Sequence, residues 1–454
     1  MAQVFQNPYD SFQDLLKASE PCENTPCFQT RNETICYTDF IRMILKVSHA
    51  LSHRKERIFV IRVQNQVLFS VAYFATILTG HMACILPPSY SLPTFLEDSE
   101  VIKDSDIRKW MECPPLVWKQ LPTPDCDAPC TIVFTSGTTS AGKGVQLTQR
   151  NLLTDTAFAI RHYQYWRDER ILHILPYWHI FGLVADLLAP LHRVSTVCVS
   201  NSSISFFQDL RHFRPDSVNM PPVVADSLCA ALNCTDNPDS VTGGKLRKIL
   251  CAGAPMPGKT AERLMQYGIA PCVAYGLTEC SACISISDDD SVRLDTCGKP
   301  LECLDLKFSE DGEILVAGET IMLGYYQDPE ATSQRMQDGY FRTGDLGRID
   351  QNGELLIIGR KSSMLVFPNG IKCVPELIER QVNALQDVNE CILSQTGTGL
   401  SCRPHLVISS LVPQRILREE TDQIMKRAEL YPYLLTIQTE PLVRNAMGKV
   451  VRKS

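Results

Sequence analysis

Short apolar runs recur through roughly the first two-thirds of the chain, each followed by a segment with helical spacing. This alternation constrains the fold more than any other feature. "RIFVIRV" (57–63) reads as a strand and 67–78 as a helix. "MACILPPS" reads as the next strand, stopped by Pro87 and Pro88. A looser, proline-rich stretch, 113–129, leads into "CTIVFTS". Further on, "RILHILPYWHIFG" gives a strand that turns at Pro176, and "SVNMPPVVADSLCAAL" a helix with proline near its start. "LRKILCAGAPMP" is a strand entering a tight turn before a helix over 258–267. "PCVAYGLTECSACISI" is a strand, a polar turn and a second apolar run. Strands alternating with helices predict parallel sheets covered on both faces.

After about Asp295 the texture changes. "LDLKFSEDGEILVAG" and "GRIDQNGELLIIGR" read as strand pairs turning at Asp-Gly and Asn-Gly, which predicts a β-rich lobe. From Arg360 the alternation returns: "MLVFPNGIKCV", a helix over 375–384, "HLVISSLV", a helix over 416–428 and a polar tail. A chain of 454 residues exceeds one ordinary core. The predicted organisation is α/β: a large domain, 1–359, of two covered α/β sheets plus the β-rich lobe, and a small α+β domain, 360–454.

A net charge of −7 gives no reason to expect nucleic acid. The opening "MAQVFQNPYDSFQDLL" lacks a basic stretch followed by an apolar one, so a cytoplasmic protein is expected. The most apolar run, 67–86, carries Ser70, Thr76, Thr79, Gly80 and His81 and reads as a core helix, not a transmembrane segment. The 19 cysteines form no paired framework. Cys280 and Cys283 make one C-x-x-C, but no second pair completes a zinc site, so free thiols are expected.

The stretch "TIVFTSGTTSAGKGVQLT" (131–148) has glycine and lysine at the spacing of a P-loop. Its chemistry differs. A P-loop lysine is followed by Ser or Thr for Mg²⁺, whereas Gly144 stands here. Val145 and Leu147 alternate with polar neighbours, as in a second strand, and Thr148 to Asn151 reads as the cap of a later helix. The hydroxyls of Thr135, Ser136, Thr138, Thr139 and Ser140, the glycines Gly137, Gly142 and Gly144, and the mobile cation Lys143 suit a phosphate cradle. An ordinary polar hairpin has the same composition.

Four more stretches carry candidate chemistry. "AYGLTEC" sets Thr278 and Glu279 just after a strand, where a carboxylate suits Mg²⁺. "GYFRTGDLGRI" ends a strand at Asp345, which can accept from ribose hydroxyls. Arg360 stands at the expected domain boundary, and Lys449 in the terminal "RNAMGKVVRKS". Singly, each also describes a common surface residue.

Together and in this order, these stretches resemble the adenylate-forming (ANL) superfamily of AMP-dependent synthetases and ligases. The matching residues are Thr135 to Thr139 with Lys143 and Gly144, Gly253-Ala254-Pro255, Tyr275 to Glu279, Gly312 to Ile314 and Gly324-Tyr325-Tyr326. They continue with Thr343 to Asp345, Gly359-Arg360, Asn369-Gly370, Pro375-Glu376 with Ile378-Glu379, and Gly448-Lys449. The resemblance runs from about residue 40 to the terminus, and "MLVFPNGIKCVPELIE" looks most like the fatty-acyl-CoA synthetase branch.

The resemblance implies ATP-dependent conversion of a carboxylate to acyl-AMP, then transfer to a thiol. The thiol is CoA or a phosphopantetheine carrier protein. By that likeness Thr135, Ser136, Gly137, Thr138, Thr139 and Lys143 hold the β- and γ-phosphates. Thr278 touches the α-phosphate and Glu279 holds Mg²⁺. Gly253, Ala254, Pro255, Ala274, Tyr275 and Gly276 line the adenine, and Asp345 with Arg360 holds the ribose. Lys449 bridges carboxylate and α-phosphate, on a small domain that swings about 359–362. Ser362 stands where relatives carry Asp or Lys, Ser140 where they carry glycine and Gly142 where they carry proline. His179 occupies the acid site where amino-acid-activating relatives carry Asp, which disfavours an α-amino acid. Around it Trp178, Ile180, Phe181, Val223, Val224, Cys280 and Cys283 predict an apolar pocket and a fatty acid.

Overall fold

The computed structural model describes residues 7–87, 90–135, 142–164, 168–200, 203–288, 293, 295–397 and 401–443. The chain forms two compact units. One runs up to Leu306 and includes Val316–Phe341; the other comprises Lys307–Leu315 and the chain from Arg342 onward.

The first unit holds two sheets. The larger has nine strands, in the order Lys299–Pro300, Ser285–Ile286, Ala270–Tyr275, Lys248–Cys251, Ser217–Met220, Arg170–His173, Thr196–Val199, Pro26–Gln29 and Thr34–Cys36. Its strands from Ala270–Tyr275 to Pro26–Gln29 run parallel. The smaller has six strands, in the order Gly324–Tyr325, Gly144–Thr148, Pro129–Phe134, Met82–Ile85, Ile58–Ile61 and Glu100–Ile102. Both sheets therefore have the parallel centres that the strand–helix alternation predicts, because each crossover is long enough to carry a helix.

Three of the four sheet edges are antiparallel, while Glu100–Ile102 runs parallel to Ile58–Ile61. Beside the glycine-rich loop, chain length explains the antiparallel return. The connection between Pro129–Phe134 and Gly144–Thr148 is too short for a parallel crossover, so the second strand folds back on the first. Thr148 closes that strand. Its hydroxyl accepts from Asn151 N while the Asn151 side chain accepts from Thr148 N, a reciprocal cap that starts the helix Gln149–Tyr163.

The apolar run lies where its composition predicts. In the helix Gln66–Leu78 every residue after Gln66 is buried, Asn65 caps the start, and Ser70 and Thr76 return their hydroxyls to carbonyls four residues back. Among the described residues no helix is long and apolar enough to cross a membrane.

In the second unit, Asp345 to Ile349 pair antiparallel with Leu355–Arg360, and Asp345 lies opposite Arg360. Beyond them lies a three-stranded sheet of Glu390–Thr396, Arg403–Ser409 and Leu434–Gln438. Its last two strands are parallel and joined through the helix Gln414–Arg427. The helices bury Ile378, Val382, Leu417, Ile424 and Met425 against Leu393, Leu406 and Ile408, a core separate from those of the first unit.

Candidate active site

The mouth of the glycine-rich loop is closed by its own backbone. Thr135 N donates to Lys143 O at 3.0 Å, and Lys143 N donates to the Thr135 hydroxyl at 3.3 Å. A Cβ on Gly142 would lie 2.2 Å from Thr135 O, so only glycine fits this close approach. Lys143 is exposed. Ser136, Gly137, Thr138 and Thr139 lie outside the described residues, as does Lys449.

Two neighbouring parallel strands, Lys248–Cys251 and Ala270–Tyr275, bring the next groups to one edge. Gly253, Ala254 and Pro255 follow the first and are exposed, with Gly253 at φ 84°. Ala274, Tyr275, Gly276, Thr278 and Glu279 lie at the end of the second and are half-buried. Carboxyl ends of parallel strands are where ligands of open α/β sheets gather. After Tyr275 the chain folds back sharply. A Cβ on Gly276 would meet Ala282 O at 1.6 Å, and Ser281 and Ala282 both take positive φ. Glycine at 276 thus lets Thr278 and Glu279 stand on the short turn Thr278–Cys280.

Glu279 is held from the other sheet. Tyr325 donates its hydroxyl to Glu279 Oε1 at 2.7 Å, and Met322 N donates to Glu279 O at 2.9 Å. The Lys143 ammonium lies 4.8 Å from the centre of the same tyrosine ring. Burial, and then the Glu279 carboxylate beside it, push the Tyr325 hydroxyl above its ordinary pKa. The segment carrying Tyr325 is itself anchored, since Asn151 Nδ2 donates to Glu319 O and Ile321 O at 2.6 and 3.1 Å.

Under the turn lies Asp155, fully buried, with Oδ1 accepting from Cys283 N at 3.0 Å. Among the described residues its Oδ2 has no partner. Burial raises this carboxyl well above the usual range, only partly opposed by the Cys283 amide, and so favours its protonated form. Cys283 therefore belongs to a buried cluster with Phe158, Tyr163 and Cys272, and Cys280 is also buried. Ile180 is buried, Trp178, Phe181 and Val224 are partly buried, and Val223 is exposed. His179 is exposed at the start of a short helix, where its Nδ1 accepts from Phe181 N at 3.3 Å. Behind it, buried Asp186 accepts from Asn219 Nδ2 at 2.7 Å and lies 2.9 Å from His173 Nδ1.

The second unit carries Asp345 and Arg360. The guanidinium Nε lies 3.2 Å from Asp345 Oδ1, and Asp345 is buried while Arg360 is exposed. Beside them Glu313, 2% exposed, accepts from Gly344 N at 3.1 Å, from Arg342 at 2.7 Å and from Lys361 at 3.0 Å. Burial alone would raise the Glu313 carboxyl, but the Arg342 and Lys361 hydrogen bonds outweigh it and hold it below its ordinary value.

The donor set fits magnesium. Mg²⁺ is held by one or two carboxylates together with substrate phosphates and waters, not by a protein cage. Glu279 offers hard oxygens. Only Oε1 takes part in a hydrogen bond among the described residues, and no cluster of three His, Cys, Asp or Glu side chains occurs among them. Sequence reasoning gave no role to Tyr325 or Glu313. Both stood inside quoted motifs, Gly324-Tyr325-Tyr326 and Gly312-Glu313-Ile314. No local spacing shows that Tyr325 reaches a carboxylate 46 residues away.

A family profile described as AMP-binding enzyme matches residues 91–326. Long-chain-fatty-acid–CoA ligase FadD15 of Mycobacterium bovis is 27% identical over 312 residues, covering 58% of this chain and 52% of that protein. The 3-[(3aS,4S,7aS)-7a-methyl-1,5-dioxo-octahydro-1H-inden-4-yl]propanoyl:CoA ligase of Mycobacterium tuberculosis is 33% identical over 346 residues, covering 70% of this chain and 64% of that protein. The chain thus spans between half and two-thirds of the length of these curated relatives. The solved structure of ATP-bound MatB from Rhodopseudomonas palustris superposes with a TM-score of 0.85 at 20% identity, covering 96% of this chain and 97% of that one.

Proposed function

The chain belongs to the AMP-binding enzyme family, within the adenylate-forming superfamily, and on that premise we propose that it activates a carboxylic acid with ATP and passes the acyl group to a thiol. The observation that carries this reading is the meeting of Lys143 and Glu279 on the two sides of Tyr325. It sets a phosphate-seeking cation and a hard-oxygen carboxylate beside the glycine-rich loop and the strand ends.

A carboxylate is a poor acyl donor because an oxide leaves badly. In the first step a substrate carboxylate oxygen attacks the α-phosphorus, the bond from that phosphorus to the β-phosphate oxygen breaks, and pyrophosphate departs. Two anions must be brought together, so positioning and charge neutralisation supply most of the acceleration. Lys143 and the loop hydroxyls bind the β- and γ-phosphates, Thr278 donates to the α-phosphate, and Gly253 to Pro255 with Ala274 to Gly276 face the adenine. Asp345, oriented by Arg360, accepts from the ribose. Lys449, on a small domain that begins at Arg360, bridges the attacking carboxylate and the α-phosphate. Glu279 would hold a magnesium ion, which would supply charge neutralisation on the phosphate oxygens. In the second step a thiolate sulfur attacks the acyl carbon, the bond to the AMP oxygen breaks, and AMP leaves.

The acid we propose is a fatty acid and the acceptor CoA. For the fatty acid, support comes from the apolar residues near His179, from the absence of a carboxylate at position 179 and from the likeness to a long-chain-fatty-acid–CoA ligase; for CoA, it comes from both relatives being CoA ligases. The test is pyrophosphate release across a panel of carboxylic acids, with CoA or a phosphopantetheine carrier protein as acceptor. Release with medium or long fatty acids is expected, as is loss of most release in Lys449→Ala while nucleotide still binds. No Lys449-dependent release with any acid overturns the reading, and thioester formed only on the carrier overturns the choice of CoA. His179→Asp is expected to weaken fatty-acid use.

A further inference from the structure

We propose that Tyr325 is a positioning residue that presets Glu279 for the metal and Lys143 for phosphate, using its hydroxyl for one and its ring face for the other. This rests on the nucleotide-activating function proposed above.

Tyr325 is unusually well fixed for an edge residue. It ends the two-residue strand Gly324–Tyr325, paired with Val145 of the loop's return strand. Its own N–H donates to the Thr332 hydroxyl at 2.9 Å, and the next amide, Tyr326 N, donates to Gly144 O at 2.7 Å. The side chain is 4% exposed. The ring therefore has little freedom, and what it touches inherits that order.

It touches two groups of opposite charge. Its hydroxyl takes Glu279 Oε1 and leaves Oε2 for another partner. Lys143 sits over the ring and, among the described residues, pairs with no carboxylate. A direct Lys143–Glu279 ion pair would neutralise both groups and compete with phosphate and cation alike. The aromatic spacer keeps them adjacent but unpaired. Immobilising one rotamer-rich side chain before binding removes an entropy cost from the binding step. Tyr325 does this for a glutamate by a charge-assisted hydrogen bond and for a lysine by cation–π attraction.

The two contacts are separable by mutation. Tyr325→Phe keeps the ring and removes the hydroxyl; Tyr325→Leu removes both. The measurement is Mn²⁺ binding, read from the electron-paramagnetic-resonance signal of free Mn²⁺ with the α,β-methylene analogue of ATP, so that no turnover is needed. Tyr325→Phe is expected to weaken nucleotide-dependent Mn²⁺ binding at least about tenfold, the loss of one hydrogen bond to a charged group. The same substitution in a Glu279→Gln background is expected to add nothing. Tyr325→Leu is expected to weaken metal-free pyrophosphate binding as well, through Lys143, where Tyr325→Phe does not. Wild-type Mn²⁺ affinity in Tyr325→Phe, or an equal loss with and without Glu279, overturns the role given to Tyr325. No nucleotide-dependent Mn²⁺ binding in the unaltered protein overturns the nucleotide reading itself, which distinguishes the two failures.

Discussion

At the scale of the residue, the least usual side chain is Asp155. A buried acid with one oxygen on the Cys283 amide and the other unpartnered among the described residues is stable only when protonated. Its folded pKa is raised above the unfolded value. Its contribution is therefore fully present below the unfolded pKa and is lost as pH rises through the folded one. Asp155→Asn keeps an oxygen for Cys283 N and never ionises. The variant is expected to be more stable than the parent near neutral pH, with the gain shrinking as pH falls toward the carboxylate range. Urea midpoints of both proteins at pH 7.5 and pH 4.5 check this, and an equal gain at both would refute the assignment of a neutral acid. The roles of Asp155 and Tyr325 share one property. Both groups act across the fold, on residues 128 and 46 positions away.

At the scale of the element, much of the chain could be read locally. The helices Gln66–Leu78, Pro222–Asn233, Gly258–Gln266 and Pro375–Asn383 lie where apolar spacing, proline and small-residue turns place them. So do the strands Ile58–Ile61, Met82–Ile85 and Ala270–Tyr275. On either side of the glycine-rich loop the chain runs as two antiparallel strands, because Gly144 and the alternation after it suit an antiparallel return and not a helix start. Thr148 and Asn151 act as a cap, with the helix Gln149–Tyr163 starting at once. Thr148→Ala removes one half of that reciprocal pair and is expected to cost about 1 kcal/mol, measurable by urea unfolding. Less was legible where burial, not period, sets the structure. The short strands Pro26–Gln29 and Thr34–Cys36 have no turn chemistry strong enough to announce them, whereas the helix Tyr37–Leu51 does carry a helical period, with Tyr37, Phe40, Ile41, Ile44, Leu45, Ser48 and Leu51 on its buried face. The six-residue π-helix Leu183–Leu188 holds Asp186 against His173 and Asn219 for a reason that only the packed core supplies.

At the scale of the whole molecule, none of the 19 cysteines forms a disulfide among the described residues, and many of them lie in strands of the two sheets. Burial raises several thiols, with Cys84, Cys130 and Cys198 pushed up to about 12, so they pack as small apolar groups. A structural disulfide is worth about 2–4 kcal/mol, so its removal would shift the melting temperature. The melting temperature is therefore expected to be the same with and without a thiol reductant, and a fall on adding reductant would contradict the free-thiol structure. Family membership is also legible only at this scale, since the family profile matches residues 91–326 and the resembling motifs continue in order to Lys449. Each is weak where it stands, and their order carries the identification.

The sequence by itself determined where the chain alternates, where it turns, which loop could hold phosphate, and that no carboxylate stands at position 179. Those follow from side-chain period, backbone freedom and charge, all of which act over a few residues. The tertiary structure decided which strand ends lie side by side, that Gly276 must be bare because Ala282 O approaches it, and that Tyr325 joins Glu279 to Lys143. These depend on sheet order, and sheet order is set by burial summed over the whole unit, which no local pattern contains.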